Sequence, residues 1–447
     1  MSADWFFARL AEWGDAPALA TGGQSTSYAE LARLADVWTE RLTERQVGLG
    51  VAVAIDGSFS PQTCAAFLAA MRLGAMVVPL TPLLRVQRDK FVEIAEVSLL
   101  LEIDESDAWT ATELPYRVQN PLLLKLKERQ HPGLVIFSSG STGAPKAILH
   151  DLTAILEKFR KTRQKKTTLT FLLFDHIGGI DTMLNTFGSG GCVVTVAQRT
   201  PELVARAIQR HAVHTLPTSP TFLNLFLMSG VIDQFDLSSL KVIAYGTEPM
   251  PESTLQRLHA AFPDVALVQT YGMSELGVLR SRSRDSESLW IKFTGEEFQI
   301  KVVDGILWVK AATAMLGYLN APDLFDAEGW LNTQDAVEVD GEYLRILGRA
   351  SDLINVGGQK VYPAEVENAL LQLDNVEDVA VFGKPHPMMG SVVAARFKLK
   401  TSEPLDVFKR RMIAFCREHL AKYQTPVYVE LADTEQFGAR FKKLRHA

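Results

Sequence analysis

Short runs with no polar face alternate with segments of helical period through the first third of the chain. Val51-Ala-Val-Ala-Ile55, Met76-Val-Val-Pro-Leu80 and Leu99-Leu-Leu101 are apolar at every position. A strand with one wet face alternates apolar and polar residues; a strand covered on both faces does not. Between these runs, Ser27–Gln46 places Leu31, Leu34, Val37 and Leu42 at helical spacing, and Pro61–Ala75 reads as a helix that Gly74 ends. Strand, helix and strand in this order predict a parallel-type sheet covered by helices. The pattern returns in Leu134–Phe137, Gly191–Val196, Pro201–Ala212, Lys241–Gly246 and Val265–Gly272.

After Tyr271 the texture changes. Phe298–Ala311 and Ala336–Gly348 read as hairpins around Asp304-Gly305 and Asp340-Gly341. Beyond Arg349 the order is short hairpin, helix over Pro363–Leu373, strands over Val376–Lys384 and Ser391–Leu399, and helix over Leu405–Leu420. The expectation is an α/β chain. A large N-terminal domain of residues 1–348 carries parallel-type sheets covered by helices, and a small α+β domain of residues 349–447 follows. No Pro/Ser-rich linker marks the boundary, so a hinge there is short.

Composition removes several function classes. Of 447 residues, 47% are hydrophobic, enough for a sizeable core. There are 46 basic against 52 acidic side chains, a net charge of −6, without the basic footprint of a nucleic-acid binder. The three cysteines, Cys64, Cys192 and Cys416, are far apart, which excludes a disulfide framework and a cysteine-rich zinc site. The first residues carry acids where a signal peptide needs bases, and no apolar stretch approaches the ~18 residues of a membrane span. A cytoplasmic location is expected. No G-x-S-x-G elbow points to a serine hydrolase.

The strongest local signal is Leu134-Val-Ile-Phe-Ser-Ser-Gly-Ser-Thr-Gly-Ala-Pro-Lys146. An apolar strand runs into Ser138, Ser139, Gly140, Ser141, Thr142 and Gly143, with Lys146 close behind. Glycines let backbone N–H groups approach an anion, hydroxyls add donors, and a lysine supplies a point charge. No Gly-Lys-Ser/Thr follows, so this is not a Walker loop. A plain Ser/Gly turn between a strand and a helix is the bland alternative.

The loop resembles the signature of the acyl-adenylate-forming superfamily, which contains acyl-CoA ligases, peptide-synthetase adenylation domains and luciferases. Further motifs match in order. In Gln269-Thr-Tyr-Gly-Met-Ser-Glu275, the resemblance puts Tyr271 on adenine, Ser274 at the α-phosphate and Glu275 on magnesium, with Gly272 beside the nucleotide and Met273 a candidate for the acid pocket. Lys241–Pro249 brings Tyr245, Gly246, Thr247 and Glu248 near adenine and the acyl group. Phe171–Gly179 offers His176 at the carboxylate pocket, and Leu216–Phe222 offers Thr218. In Gly329–Asp335, Asp335 matches the ribose-binding aspartate, but Gln334 stands where the family has glycine. Arg349 matches an arginine that contacts ribose or phosphate.

The same resemblance implies that the small domain is mobile. Ser351 falls at the pivot, where Asp or Lys is usual, and Gly357-Gly358 falls on the strip that lines the thiol's tunnel. The tail departs from Gly-Lys-Ile-x-Arg: Ala439 follows Gly438, and Lys442 with Arg445 restores the Lys-x-x-Arg spacing. Lys442 is therefore the expected catalytic lysine, with Lys443 and Arg440 as alternatives, beside Glu275 and His176. The basic run Lys158–Lys166 reads as a solvated helix face. The implied chemistry is activation of a small-molecule carboxylic acid, apolar or aryl, with ATP and Mg2+, followed by transfer to CoA. An amine acceptor, as in amide ligases of the coronafacate type, a free-standing carrier protein, and a degenerate nucleotide or acyl binder are the rivals.

Overall fold

The computed structural model describes residues 3–139, 145–433, 435–438 and 440–445. Gly140, Ser141, Thr142 and Gly143 of the anticipated phosphate loop lie outside the described residues.

The three wholly apolar runs became the centre of one of two seven-stranded sheets. In one, Ala52–Asp56 lies between Met76–Leu80 and Leu99–Ile103, all parallel, and Gly133–Ser139 joins beyond Met76–Leu80. In the other, Ala266–Gln269, Val242–Tyr245, Thr215–Thr218, Thr167–Leu169 and Cys192–Thr195 run parallel in that order, followed by Pro17–Thr21. Antiparallel strands close the edges: Gln24–Ser27 on one sheet, Trp109–Glu113, Pro145–Asp151 and Gly317–Tyr318 on the other.

The helix Pro61–Arg72 lies within the core that both sheets share. Its residues from Thr63 to Met71 are all buried, and Leu19 and Val193 of one sheet join Val53 and Ile136 of the other in the same cluster. A helix covered all round needs small side chains and no polar face, and Cys64-Ala-Ala-Phe-Leu-Ala-Ala supplies them. Ser60 caps its start by accepting from Thr63 N, and Gly74, at φ +74°, takes the left-handed turn after its end.

Both Asp-Gly turns are present. The hairpin of Phe298–Val303 and Ile306–Ala311 turns through Asp304 and Gly305, both at positive φ. The hairpin of Leu331–Asp340 and Tyr343–Arg349 shares its six-stranded antiparallel sheet. From Ile354 to Cys416 a separate core gathers Val366, Leu370, Val381, Phe397, Phe408 and Met412. No helix among the described residues is long and apolar enough to cross a membrane.

The bland alternative and one expectation are set aside here. Gly133–Ser139 is not the strand of a strand-to-helix turn. It turns back as a hairpin, with Ser138 opposite Lys146 and Ser139 opposite Pro145. Lys158–Lys166 is solvated in large part but is not a helix face. The helix ends at Glu157, residues 160–165 are exposed, and Lys158 turns inward to an ion pair with Asp181. The run's spacing could not reveal that Asp181 lies across from it.

Candidate active site

Four motifs leave the same edge of one sheet. Register pairs Thr218 with Tyr245 and Tyr245 with Gln269, so their carboxyl-terminal ends lie side by side. The neighbouring strand Thr167–Leu169 ends at that edge too and runs on toward His176. Open α/β sheets bind ligands at this end of their strands. Gly246 is required there, because a Cβ would strike the Oγ1 and carbonyl oxygen of Thr270. Thr247 follows at φ +74°, a conformation a β-branched residue rarely adopts. Among the described residues, the buried Oγ1 atoms of Thr218 and Thr247 and the hydroxyl of Tyr245 have no hydrogen-bond partner. Unpaired buried polar atoms beside a strained residue are the marks of a site built for something else. The Tyr245 ring itself is only 1% exposed and belongs to the core, so it does not line an open acyl pocket as expected.

The second sheet meets this edge through Tyr318. Its hydroxyl donates to Glu275 Oε1 at 2.8 Å, and the Lys146 ammonium sits 5.2 Å from its ring centroid. Lys146 and Glu275, 129 positions apart in the chain, therefore flank one aromatic ring. His150, fully buried on the same strand as Lys146, bonds through Nε2 to the carbonyl of Ser274 at 2.6 Å. Burial lowers its pKa, so it is neutral and Nε2–H donates. The Ser274 and Glu275 turn is thus tied to the strand that carries Lys146. Met273 is half-buried, and Gly272 has Gly277 O too close to admit a Cβ.

His176 caps the helix Ile177–Gly188, its Nδ1 accepting from Gly178 N at 3.0 Å. A Cβ on Gly179 would run into the carbonyl of Leu173, which is why glycine follows. Burial, then the charges of Lys442 and Arg440, push the imidazole pKa down to about 3. With Nδ1 accepting, the proton is on Nε2. His176 is a neutral donor at ordinary pH, suited to a carboxylate or carbonyl oxygen and not to removing a proton.

The tail reaches this place. Phe437 bridges Lys443, and Gly438 N donates to Lys442 O, making a tight turn. Lys442 stays accessible to water yet stands within dense protein. Burial first, then Arg349 and Arg440, lower its ammonium pKa against Glu248 and Asp335. The charges acting on it come from four of the anticipated motifs. The two alternatives for the catalytic lysine have other partners. Lys443 is paired with Asp378 at 3.0 Å and Val379 O at 2.8 Å, and Arg440 with Asp175 at 2.7 Å. Glu248, anticipated as a nucleotide contact, instead accepts from Thr221 N at 2.8 Å and Lys443 N at 3.3 Å. It anchors the tail.

Asp335 lies at the end of the hairpin, 9% exposed, accepting from Tyr271 OH at 2.6 Å and paired with Arg349 Nε at 3.1 Å. Burial raises its pKa and Arg349 opposes the rise. Gln334 adopts φ +62°, the left-handed conformation that glycine takes most easily. Tyr271 is itself nearly buried, its ring edge-on to Phe293 at 5.5 Å. Ser351 sits in the short turn Ala350–Asp352, its hydroxyl donating to Asp352. Gly357 and Gly358, both at positive φ, form the turn of the hairpin Ile354–Val356 and Gln359–Val361.

Residues 6–319 match the family described as AMP-binding enzyme, and residues 365–436 match the AMP-binding enzyme C-terminal domain. The chain belongs to the AMP-binding enzyme family. A 3-[(3aS,4S,7aS)-7a-methyl-1,5-dioxo-octahydro-1H-inden-4-yl]propanoyl:CoA ligase of Rhodococcus jostii is 29% identical over 323 residues, 67% of this chain and 61% of that one. The chain thus spans about three fifths of that relative's length. A 2-succinylbenzoate–CoA ligase of Bacillus cytotoxicus is 26% identical over 99% of this chain and 97% of its own. An anthranilate CoA ligase in complex with anthranoyl-AMP shares the fold at TM-score 0.84 and 21% identity, over 99% of this chain and 97% of that one. An amide bond synthetase from Marinactinospora thermotolerans does so at TM-score 0.78 and 21% identity, over 99% and 98%.

Within this AMP-binding enzyme, sequence reasoning missed Tyr318, His150 and the role of Asp175. Tyr318 follows Gly317 in a two-residue strand, too short for a periodic signal. The donor set also suits magnesium. That ion binds through one or two carboxylates and keeps its remaining positions for water and substrate phosphates. Glu275 is one such carboxylate, oriented by Tyr318 beside Lys146. Among the described residues no cluster of three or more His, Cys, Asp or Glu forms an all-protein cage.

Proposed function

We propose that this enzyme activates a carboxylic acid with ATP to an acyl-adenylate and passes the acyl group to the thiol of CoA. The observation that carries the reading is the meeting of Lys146 and Glu275 on Tyr318, with Arg349 near enough for its charge to act on both Tyr318 and Lys442.

A carboxylate oxygen of the acid attacks the α-phosphorus of ATP, and the bond to the bridging oxygen breaks to release pyrophosphate. His176 Nε2–H holds the acid. Lys442 and Lys146 offset the charge that grows on phosphoryl oxygens, which is the main protein contribution to such a transfer. Ser138, Ser139, the loop 140–143, Ser274, Thr218, Gly246 and Thr247 supply phosphate and pocket contacts, while Tyr271, Gly272, Asp335 and Arg349 serve adenine and ribose. Glu275 would hold magnesium, which when bound supplies further positive charge to the phosphates. In the second step the thiolate sulfur attacks the acyl carbonyl, and AMP leaves on its phosphate oxygen. The division into residues 1–348 and 349–447, turning about Ser351, and a thiol path along Gly357-Gly358 complete the proposal.

The test is pyrophosphate release from ATP with a panel of aliphatic, aryl and amino acids, with CoA, amines or carrier protein added and products read by mass. Acid-dependent pyrophosphate and a CoA thioester are expected. Amide or carrier-bound products would replace the acceptor. Silence with every acid would leave a nucleotide or acyl binder.

A further inference from the structure

We propose that Asp175 is a positioning residue: its ion pair with Arg440 seats the tail turn that delivers Lys442 against the loop carrying His176. The inference rests on the reading of Lys442 as the adenylation lysine.

Asp175 is 2% exposed, and a carboxylate buried that far is stable only when its charge is met. Its Oδ2 accepts from Thr81 Oγ1 at 3.1 Å and from Arg440 at 2.7 Å. The arginine is 265 positions away in the chain and two residues before Lys442. In the tail turn closed by the Phe437 and Lys443 bridge, Arg440 cannot shift without carrying Lys442. Phe441 between them takes φ +52°, a conformation that costs energy for a non-glycine residue. Its ring packs against Phe171 at 5.3 Å and Phe222 at 5.5 Å, with Arg199 over its face at 5.2 Å. Apolar burial on the large domain offsets that cost.

The other side of the turn is held by the small domain. Arg445 makes a two-pronged pair with buried Glu367, at 3.0 and 2.7 Å, and Lys443 pairs with Asp378. The turn is therefore clamped from two sides, and the Asp175 pair is its charged hold on the acid-binding loop, beside the packing of Phe441 on Phe171. Loss of that clamp leaves the tail on the small domain but frees Lys442 from its place beside His176.

Asp175→Asn, Arg440→Gln and the double variant test this. Arg440 lies on the partly exposed tail, so its variant keeps the test intact if Asp175→Asn does not fold. Tryptic cleavage after Lys442 and Lys443, followed by mass spectrometry, needs no substrate and is expected to quicken about tenfold in each, the loss of one charged hydrogen bond. Pyrophosphate release with the fastest acid of the panel is expected to fall about 10²-fold, the effect of a misplaced catalytic group. Thioester formation from the matching acyl-adenylate should stay near wild type, and the double variant should lose no more than the worse single one. Unchanged cleavage, equal loss of both half-reactions, or additive losses would overturn the proposal. If no acid gives pyrophosphate with the wild-type protein, the adenylation reading fails, and the cleavage rates still decide whether the clamp exists.

Discussion

Tyr318→Phe removes one oxygen atom and leaves the ring. That oxygen donates to Glu275 Oε1 at 2.8 Å, and burial beside the carboxylate raises the phenol pKa, so the proton stays on Tyr318. A hydrogen bond to a charged acceptor contributes about 1.5–3 kcal/mol. At about 1.36 kcal/mol per tenfold in rate, its loss predicts a fall of about 10- to 150-fold in kcat/KM for ATP if the bond orients Glu275 in the transition state. The ring still lies under the Lys146 ammonium, so that contact survives in the Phe variant. Tyr318→Leu removes it as well, and a cation–ring attraction of about 0.5–1 kcal/mol adds a further loss of about two- to fivefold. The assay is pyrophosphate release against ATP at several magnesium concentrations, with manganese binding in the presence of ATP as a readout independent of turnover. Weaker manganese binding and a higher magnesium requirement are expected in Tyr318→Phe. A Phe variant within twofold of wild type at every magnesium concentration would refute the claim that Tyr318 organises the metal end of the site.

Three further outcomes are expected. Lys442→Ala should lower adenylate formation about 10²–10³-fold, the usual loss when one charge-stabilising group is removed, and leave thiol attack on supplied adenylate nearly unchanged; equal loss in both steps would return the assignment to Lys443 or Arg440. Gln334→Gly relieves a left-handed conformation costing about 1–2 kcal/mol against a chain-entropy penalty of about 0.5–1 kcal/mol, so the urea midpoint should rise slightly, and a lowered midpoint would show that the Gln334 side chain stabilises the turn. His176 protonates only near pH 3 in the folded protein but near 6.5 in an unfolded chain, so between those values the unfolded chain holds the extra proton. Stability should fall as pH drops through that window and stay level above it; urea unfolding of His176→Asn, which keeps a helix cap, should show a flatter slope, and an identical slope would remove His176 as its source.

Much of this was legible before any coordinates. Leu99-Leu-Leu101 and Met76–Leu80 could only be strands covered on both faces, because a wet face would have forced polar alternation. Asp304-Gly305 announced its hairpin through the backbone it permits. The chemical types at Lys146, His176, Glu275 and Asp335 were visible as motifs because each is bound to a local backbone form. What neighbours them was not. The shared ring of Tyr318, the Glu248 anchor and the pair of Asp175 with Arg440 join residues tens to hundreds of positions apart. Local period, turn chemistry and residue type are written along the chain, so the sequence alone determined the elements and the chemical inventory. Which charge meets which across a cleft depends on how sheets and tail pack in space. Tertiary structure alone therefore decided that Lys158 is buried against Asp181, that His176 is a neutral donor, and that Lys442 is the tail lysine whose charge is felt at His176.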